Sequence, residues 1–320
     1  MNACCAECGE EGGLSLNTCK SCMLVSYCNA KCKKKHRSKH KKHCRRHVAE
    51  LRDKALFKDP PPKEECPICF LPMPTKLICC VLLPPATITS VPLYDFAIAN
   101  TELASKGIRT YYPCCGKSVC KGCVHSFSKS GNHDKCPFCN SYRRKTEEER
   151  IQEMMRRVEA NDATSINLMA DSYYEGLNGV QQDQTEAMEL YARSAGLGCG
   201  LAHSKFACIY HEGGDLKKAK FHFEAAAMAG HDGARYNLGV MECNSGNMEQ
   251  ADKHWTIAAS AGHYRAMHHL RTGFEGGFVS RESIDSSLTA YNNSRAEMRS
   301  KARDATIRIK MNILQTMNNT

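Results

Sequence analysis

The sequence has no long apolar run. Its longest apolar stretch, Leu77 to Ala86, already contains Pro84 and Pro85 and falls far short of the roughly 20 residues that a membrane-spanning helix needs. The opening Met-Asn-Ala-Cys-Cys-Ala-Glu-Cys-Gly-Glu has neither a basic start nor an apolar core, so no secretory leader is expected there. No phosphate-binding glycine loop, HExxH helix or GxSxG elbow occurs, which removes the usual signs of nucleotide, zinc-protease and esterase chemistry. Acidic residues are missing from Lys31 to Arg46, where ten Lys or Arg residues stand. Cysteine is scarce in the back half: only Cys199, Cys208 and Cys243 lie beyond Cys139.

The other 18 of 21 cysteines lie between Cys4 and Cys139. Without a leader, disulfides are the poorer explanation for such a cluster. The expectation is therefore a reducing compartment, cytoplasm or nucleus, with the cysteines kept as thiolates for metal. A lone catalytic cysteine is hard to defend in that company. The net charge of +10 belongs to the local basic run rather than to the whole chain.

In the first 47 residues the pairs are Cys5-x2-Cys8, Cys19-x2-Cys22, Cys28-x3-Cys32 and His40-x3-Cys44. Each sets two soft ligands on one tight knuckle or one helical turn, and eight ligands make two closed tetrahedral zinc sites. The pattern, with Tyr27-Cys28, resembles the MYND-type zinc finger over Cys5 to Cys44. The resemblance implies interleaved sites: Cys5, Cys8, Cys28 and Cys32 on one Zn2+, and Cys19, Cys22, His40 and Cys44 on the other. Cys4 is then spare, and His36, His43 and His47 fit the spacing less well than His40. A domain this small cannot bury enough apolar surface alone, so the metal supplies its stability. The resemblance also implies a protein-interaction module that takes short proline-containing peptides. Lys31 to Arg46 could instead touch nucleic acid, but it has little aromatic interleaving for base stacking, and a solvated basic helix is the expected outcome.

A linker, residues 48–63, follows; its Asp59-Pro60-Pro61-Pro62 run reads as a stiff spacer. Residues 64–142 hold Cys66-Pro-Ile-Cys69, Cys120-Lys-Gly-Cys123 and Cys136-Pro-Phe-Cys139, with Cys114-Cys115-Gly116-Lys117 between the first two pairs. These pairs resemble a divergent RING-type zinc finger. The resemblance implies a cross-brace: Cys66, Cys69, Cys120 and Cys123 at one site, and the Cys114/Cys115 region with Cys136 and Cys139 at the other. Lys117 stands where a RING places a histidine ligand, and an ammonium cannot ligate. Cys114, His125 or His133 are the candidates for that corner. Ile68 and Pro137 match the apolar positions a RING offers to a ubiquitin-conjugating enzyme, while Asn140 stands where active ligases place Arg or Lys. A long insertion between Cys69 and Cys114 places a strand or loop around Val81 to Ala99, and Cys79 and Cys80 are expected to pack as small apolar residues.

From residue 146 the chain reads as helical. Thr146 and Glu149 have the spacing of a capping box, and Ile151, Met154, Met155 and Val158 form a stripe at helical spacing. Shifting the chain by 32 then aligns Tyr191, Phe223 and Trp255, and with them Ala187, Ala219 and Ala251, Ala195, Ala227 and Ala259, and Gly198, Gly230 and Gly262. Phe206, Leu238 and Leu270 align as well, and Met169 precedes Phe206 by 37, the excess falling in the loop after Gly176. Such units stack as a solenoid. Tyr173-x2-Gly176-x2-Gly179-Val180 and the repeated Ala-x-Ala-Gly-His resemble Sel1-like repeats, relatives of the tetratricopeptide class. The repeats are assigned to 146–295 and a terminal helix and tail to 296–320, with a helix from Ser294 that frays after Ile313. The scattered histidines are expected to be ordinary core or surface residues.

The fold class expected is therefore multidomain: a zinc-stabilised MYND finger, a RING-like zinc domain and an all-α Sel1-like solenoid. The function expected is an adaptor that binds other proteins, with no membrane or nucleic-acid partner. A RING-type E3 ubiquitin ligase, whose repeats select the substrate, is the alternative.

Overall fold

The computed structural model describes residues 6–7, 16–73, 109–142, 146–306 and 308–309. Cys4, Cys5, Cys8, Cys79 and Cys80, the Val81 to Ala99 insertion and the tail around Ile313 lie outside the described residues. The chain divides into two compact units, Met1–Asp59 and Pro60–Thr320.

The first unit has a two-residue antiparallel pair, β1 (Asn17–Thr18) and β2 (Ser26–Tyr27), followed by α1 (Ala30–Leu56). Asn29 starts α1, its side chain accepting from the Cys32 amide. The helix runs well past the finger, so residues 48–56 continue α1 where a linker was expected. Nothing between Val48 and Leu56 breaks a helix; the stop comes only with Asp59-Pro60. Among the described residues of this unit only Cys22, Tyr27, His40 and Leu56 are buried. That is no hydrophobic core.

The second unit opens with an extended segment. It then forms the antiparallel hairpin of β3 (Arg109–Tyr112) and β4 (Lys117–Cys120), with Arg109 opposite Cys120 and Tyr112 opposite Lys117. α2 (Lys121–Phe127) follows directly. A small core of Met73, Tyr112 and Val119 lies among the buried cysteines Cys66, Cys120, Cys123 and Cys136.

The repeats begin with α3 (Glu147–Glu159), capped by Thr146, which accepts from the Glu149 amide while the Glu149 carboxylate accepts from the Thr146 amide. Then come α4 (Ala163–Glu175), α5 (Gln184–Gly196), α6 (Gly200–Glu212), α7 (Leu216–Met228), α8 (Asp232–Asn244), α9 (Met248–Ser260), α10 (Tyr264–Glu275) and α11 (Arg281–Glu297). Each helix packs on the next, as a solenoid requires. Tyr191, Phe223 and Trp255 are buried at equivalent places, with Ala187, Ala219 and Ala251 fully enclosed beside them. Gly198, Gly230 and Gly262 take left-handed φ values of +83°, +85° and +87°, the conformation that ends each second helix without a Cβ penalty. Gly239 meets a different demand, since a Cβ there would have three atoms of the Trp255 indole within 2.9 Å. The segment expected to be one terminal helix from Ser294 instead breaks. α11 ends at Glu297, Ser300 accepts from the Arg303 amide, and residues 301–306 form a separate helical stretch.

Among the described residues no helix is long and apolar enough to cross a membrane.

Candidate metal centres

Three tight Cys-x-x-Cys turns share one backbone design. In each, the first cysteine's carbonyl accepts from the amide four residues on: Met23, Phe70 and Asn140 donate to Cys19, Cys66 and Cys136 at 2.8–3.0 Å. Those three residues follow the second cysteine of each pair and have φ of +55°, +54° and +59°. The first cysteine's amide donates in return to Val25, Leu71 or Ser141. The turn curls the peptide so that both sulfurs point inward, and amides are left to face them. Asn140 therefore has a local reason to be asparagine, which tolerates the left-handed region better than Arg or Lys.

These turns, with the flanking elements, gather the ligands. Cys19, Cys22, His40 and Cys44 converge, as do Cys66, Cys69, Cys120 and Cys123, and Cys114, Cys115, Cys136 and Cys139; within each group all ligand atoms lie within 4.8 Å of one another. The first group takes His40 and Cys44 from one face of α1. The second pairs a turn with the β4–α2 junction. The third takes its first two members from the hairpin between β3 and β4. Cys28 and Cys32 stand 3.6 Å apart at the start of α1; Cys5 and Cys8, expected to complete that set, lie outside the described residues.

Distances separate the chemical possibilities. A tetrahedron of sulfurs about 2.3 Å from zinc has edges of about 3.8 Å, whereas a disulfide brings sulfurs to about 2.05 Å. Cys19 to Cys44 measures 3.8 Å, Cys69 to Cys120 3.8 Å, Cys114 to Cys115 3.9 Å and Cys115 to Cys136 3.5 Å. The Cys22 sulfur lies 3.3 Å from His40 Nε2. The donor sets are soft, four-membered and sized for a tetrahedral zinc ion.

Local electrostatics agree. Each cluster contains one thiol drawn toward the thiolate. The Cys22 amide pulls Cys19 down to about 6, the Ser141 hydroxyl and amide pull Cys139 down to about 6, and three backbone amides overcome burial to bring Cys66 to about 7. The neighbours move the other way: burial and the adjacent sulfurs push Cys44 and Cys114 up to about 11 and Cys115 to about 12. Thiols crowded together resist joint ionisation, and a central cation removes that resistance.

The alternative ligands stand elsewhere. Lys117 places its ammonium 4.6 Å from the Phe138 ring centroid, and Cys114 stands in the corner beside Cys115. His133 pairs with Asp134 at 3.0 Å. His36 Nδ1 meets the Tyr27 hydroxyl at 3.1 Å and its ring stacks on His40, so it braces a cluster member. His47 approaches Glu50 at 3.6 Å.

Sequence reading missed Ser141, whose hydroxyl lies 3.0 Å from the Cys139 sulfur. It also missed the role of the repeated Gly-His pairs. His231 and His263 cap α8 and α10, their Nδ1 atoms accepting from the Ala234 and Ala266 amides. The recurrence of His after Gly230 and Gly262 was the available signal.

In the helical unit a cavity of about 750 Å³ opens between the Pro61–Glu64 segment, β3, and the first turns of α4, α6 and α8; Asn167, Leu201 and Gly230 line it. Its volume falls in the range of small-molecule pockets.

Residues 5–44 match the MYND finger family. The N-terminal segment is thus a zinc finger, followed by a mostly helical repeat solenoid. No curated protein matches the sequence. Among solved structures, the chain is similar to a Sel1 repeat protein from Oxalobacter formigenes, at 21% identity and a TM-score of 0.40, over 58% of this chain and 72% of that one. It is also similar to a protective antigen of uropathogenic Escherichia coli strains displaying an SLR fold, at 21% identity and a TM-score of 0.35, over 47% of this chain; the chain spans 37% of that antigen's length.

Proposed function

We propose that this protein is a zinc-built adaptor that holds other proteins together and performs no covalent chemistry of its own. The observation that carries the proposal is closure. Each of the three complete clusters offers four protein ligands, which leaves no position for water or substrate, as structural rather than catalytic zinc sites require. Four zinc ions per chain follow: two held by Cys5, Cys8, Cys28 and Cys32 and by Cys19, Cys22, His40 and Cys44, and two by the clusters of residues 64–142. The MYND match at 5–44 supports docking of short proline-containing peptides by the finger. The stacked repeats supply a second, extended docking surface. Such an adaptor works in the cytoplasm or nucleus, where thiolates persist.

A second reading, a RING-type ubiquitin ligase, is favoured by the cross-brace order of the clusters, whose ligands interleave along residues 66–139. Ile68, 40% exposed, remains open to a conjugating enzyme. The ligase would act by positioning alone. Incubating the full chain with ubiquitin, activating enzyme and a panel of conjugating enzymes separates the readings. The adaptor predicts no chain formation with any of them. Ubiquitination that Ile68→Ala abolishes would overturn it.

A further inference from the structure

Arg303 reaches the Cys66 cluster from a stretch of chain more than 230 residues away in sequence. Its Nη2 donates to the Leu71 carbonyl at 3.2 Å and lies 3.6 Å from the Cys69 sulfur. Its Nη1 donates to the Pro72 carbonyl at 2.8 Å and to the Met298 carbonyl at 2.7 Å. One guanidinium therefore grips the turn that carries Cys69 and ties it to the end of α11. Arg303 is 7% exposed, while Cys66 and Cys120 are 0% and 1% exposed. Space for it is made at Gly122, between Cys120 and Cys123, where a Cβ would lie 2.7 Å from both Arg303 Cγ and the Arg303 backbone nitrogen. Both ligand pairs of this cluster thus touch the same residue.

We propose that Arg303 is a positioning residue for the Cys66, Cys69, Cys120 and Cys123 zinc site, and that zinc there and docking of residues 301–306 hold each other in place. This rests on reading the four cysteines as zinc ligands. Four thiolates around a divalent cation carry a formal excess of two negative charges. A guanidinium on one sulfur offsets part of that charge in a buried place, and its fork fixes the turn at the same time. Outer partners of this kind hold metal ligands in position. The coupling is reciprocal: whatever zinc adds to docking of 301–306, docking adds to zinc affinity.

The test uses the full chain and two variants, Arg303→Met, which keeps the stem and loses the fork, and Arg303→Lys, which keeps only the charge. Zinc is transferred to a chromogenic chelator, the cobalt-loaded proteins give thiolate-to-metal absorption spectra, and amide exchange is followed over 301–306. The expected result is that one zinc per chain leaves Arg303→Met with affinity weakened about 10- to 100-fold, the others being unaffected, and that Arg303→Lys recovers only part of it. The cobalt spectrum shifts in both variants. In the wild type, residues 301–306 lose exchange protection once zinc is removed. Unchanged transfer and spectra in Arg303→Met, with 301–306 still protected in the metal-free wild type, would overturn the proposal and leave the zinc site standing. A Cys66→Ser chain that binds as much zinc as the wild type would overturn the zinc reading itself.

Discussion

Stripping zinc from the protein is expected to unfold the N-terminal unit while leaving the repeats standing. α1 has 27 residues, but its basic half carries ten Lys or Arg between residues 31 and 46 with no acid among them. Like charges three and four residues apart oppose the helix. Only Cys22, Tyr27, His40 and Leu56 are buried there among the described residues, and two of those four belong to the Cys19 cluster. Among the described residues no apolar core remains to hold the unit when the metal is gone. Structural zinc in small fingers contributes on the order of 10 kcal/mol at neutral pH. Circular dichroism should lose at least a share of helix equivalent to α1 on chelation, and amide protection over 30–56 should collapse. Trp255, the only tryptophan, sits in the core between α8 and α9, and its emission should hardly move. Persistent protection of 30–56 in the metal-free protein would refute this account of the finger.

The repeats are expected to fail in acid. His254, His263 and His269 are buried, and burial pushes their imidazoles down to about 3, about 3 and about 4. Nearby cations add to this: Arg235 and Lys220 around His254, and Arg265 around both His263 and His269. The folded values lie below the unfolded one, near 6.5, so the unfolded chain takes up protons that the folded chain refuses. The stability these groups contribute is therefore complete above about pH 6.5 and is lost as the pH falls from there toward 3. At pH 5 each group alone accounts for about 2 kcal/mol. Their mutual influence keeps the total below the sum, on the order of 4 kcal/mol. His263 has a second reason to stay neutral, because its Nδ1 accepts the Ala266 amide that starts α10. Urea unfolding followed by Trp255 emission should show a much lower midpoint at pH 5 than at pH 7.5. His263→Asn, which keeps a capping oxygen but cannot titrate, should remove about a third of that difference. Equal midpoints at the two pH values would contradict the burial argument.

How much of this was legible beforehand varies with range. The helical periodicity was visible because α5, α7 and α9 start at Gln184, Leu216 and Met248, each 32 residues apart, and Tyr191, Phe223 and Trp255 fill the same gap in each unit. A repeated core writes a repeated sequence. The Cys-x-x-Cys turns were visible for a similar reason, since two ligands on one turn allow few spacings. The left-handed residues that follow them were not, because Met23, Phe70 and Asn140 share a backbone angle and no side-chain chemistry. Contacts between modules left no local trace either. Tyr111 donates to Asp162 at 2.8 Å, and Arg157 donates to the Pro113 and Cys114 carbonyls at 2.8 and 3.0 Å. These join the second cysteine-rich region to the first repeat helices, yet each is a single polar residue in an ordinary stretch. The continuation of α1 to Leu56 was hidden by reading the edge of the metal motif as the edge of the fold.

The central claim is that closed zinc sites build both cysteine-rich regions, and zinc content per chain tests it most directly. Native mass spectrometry of the protein purified without chelators should give four zinc ions per chain, falling to three in Cys66→Ser. Two zinc ions in the wild-type protein, with Cys66→Ser unchanged, would leave only the N-terminal finger as a metal module and contradict the account.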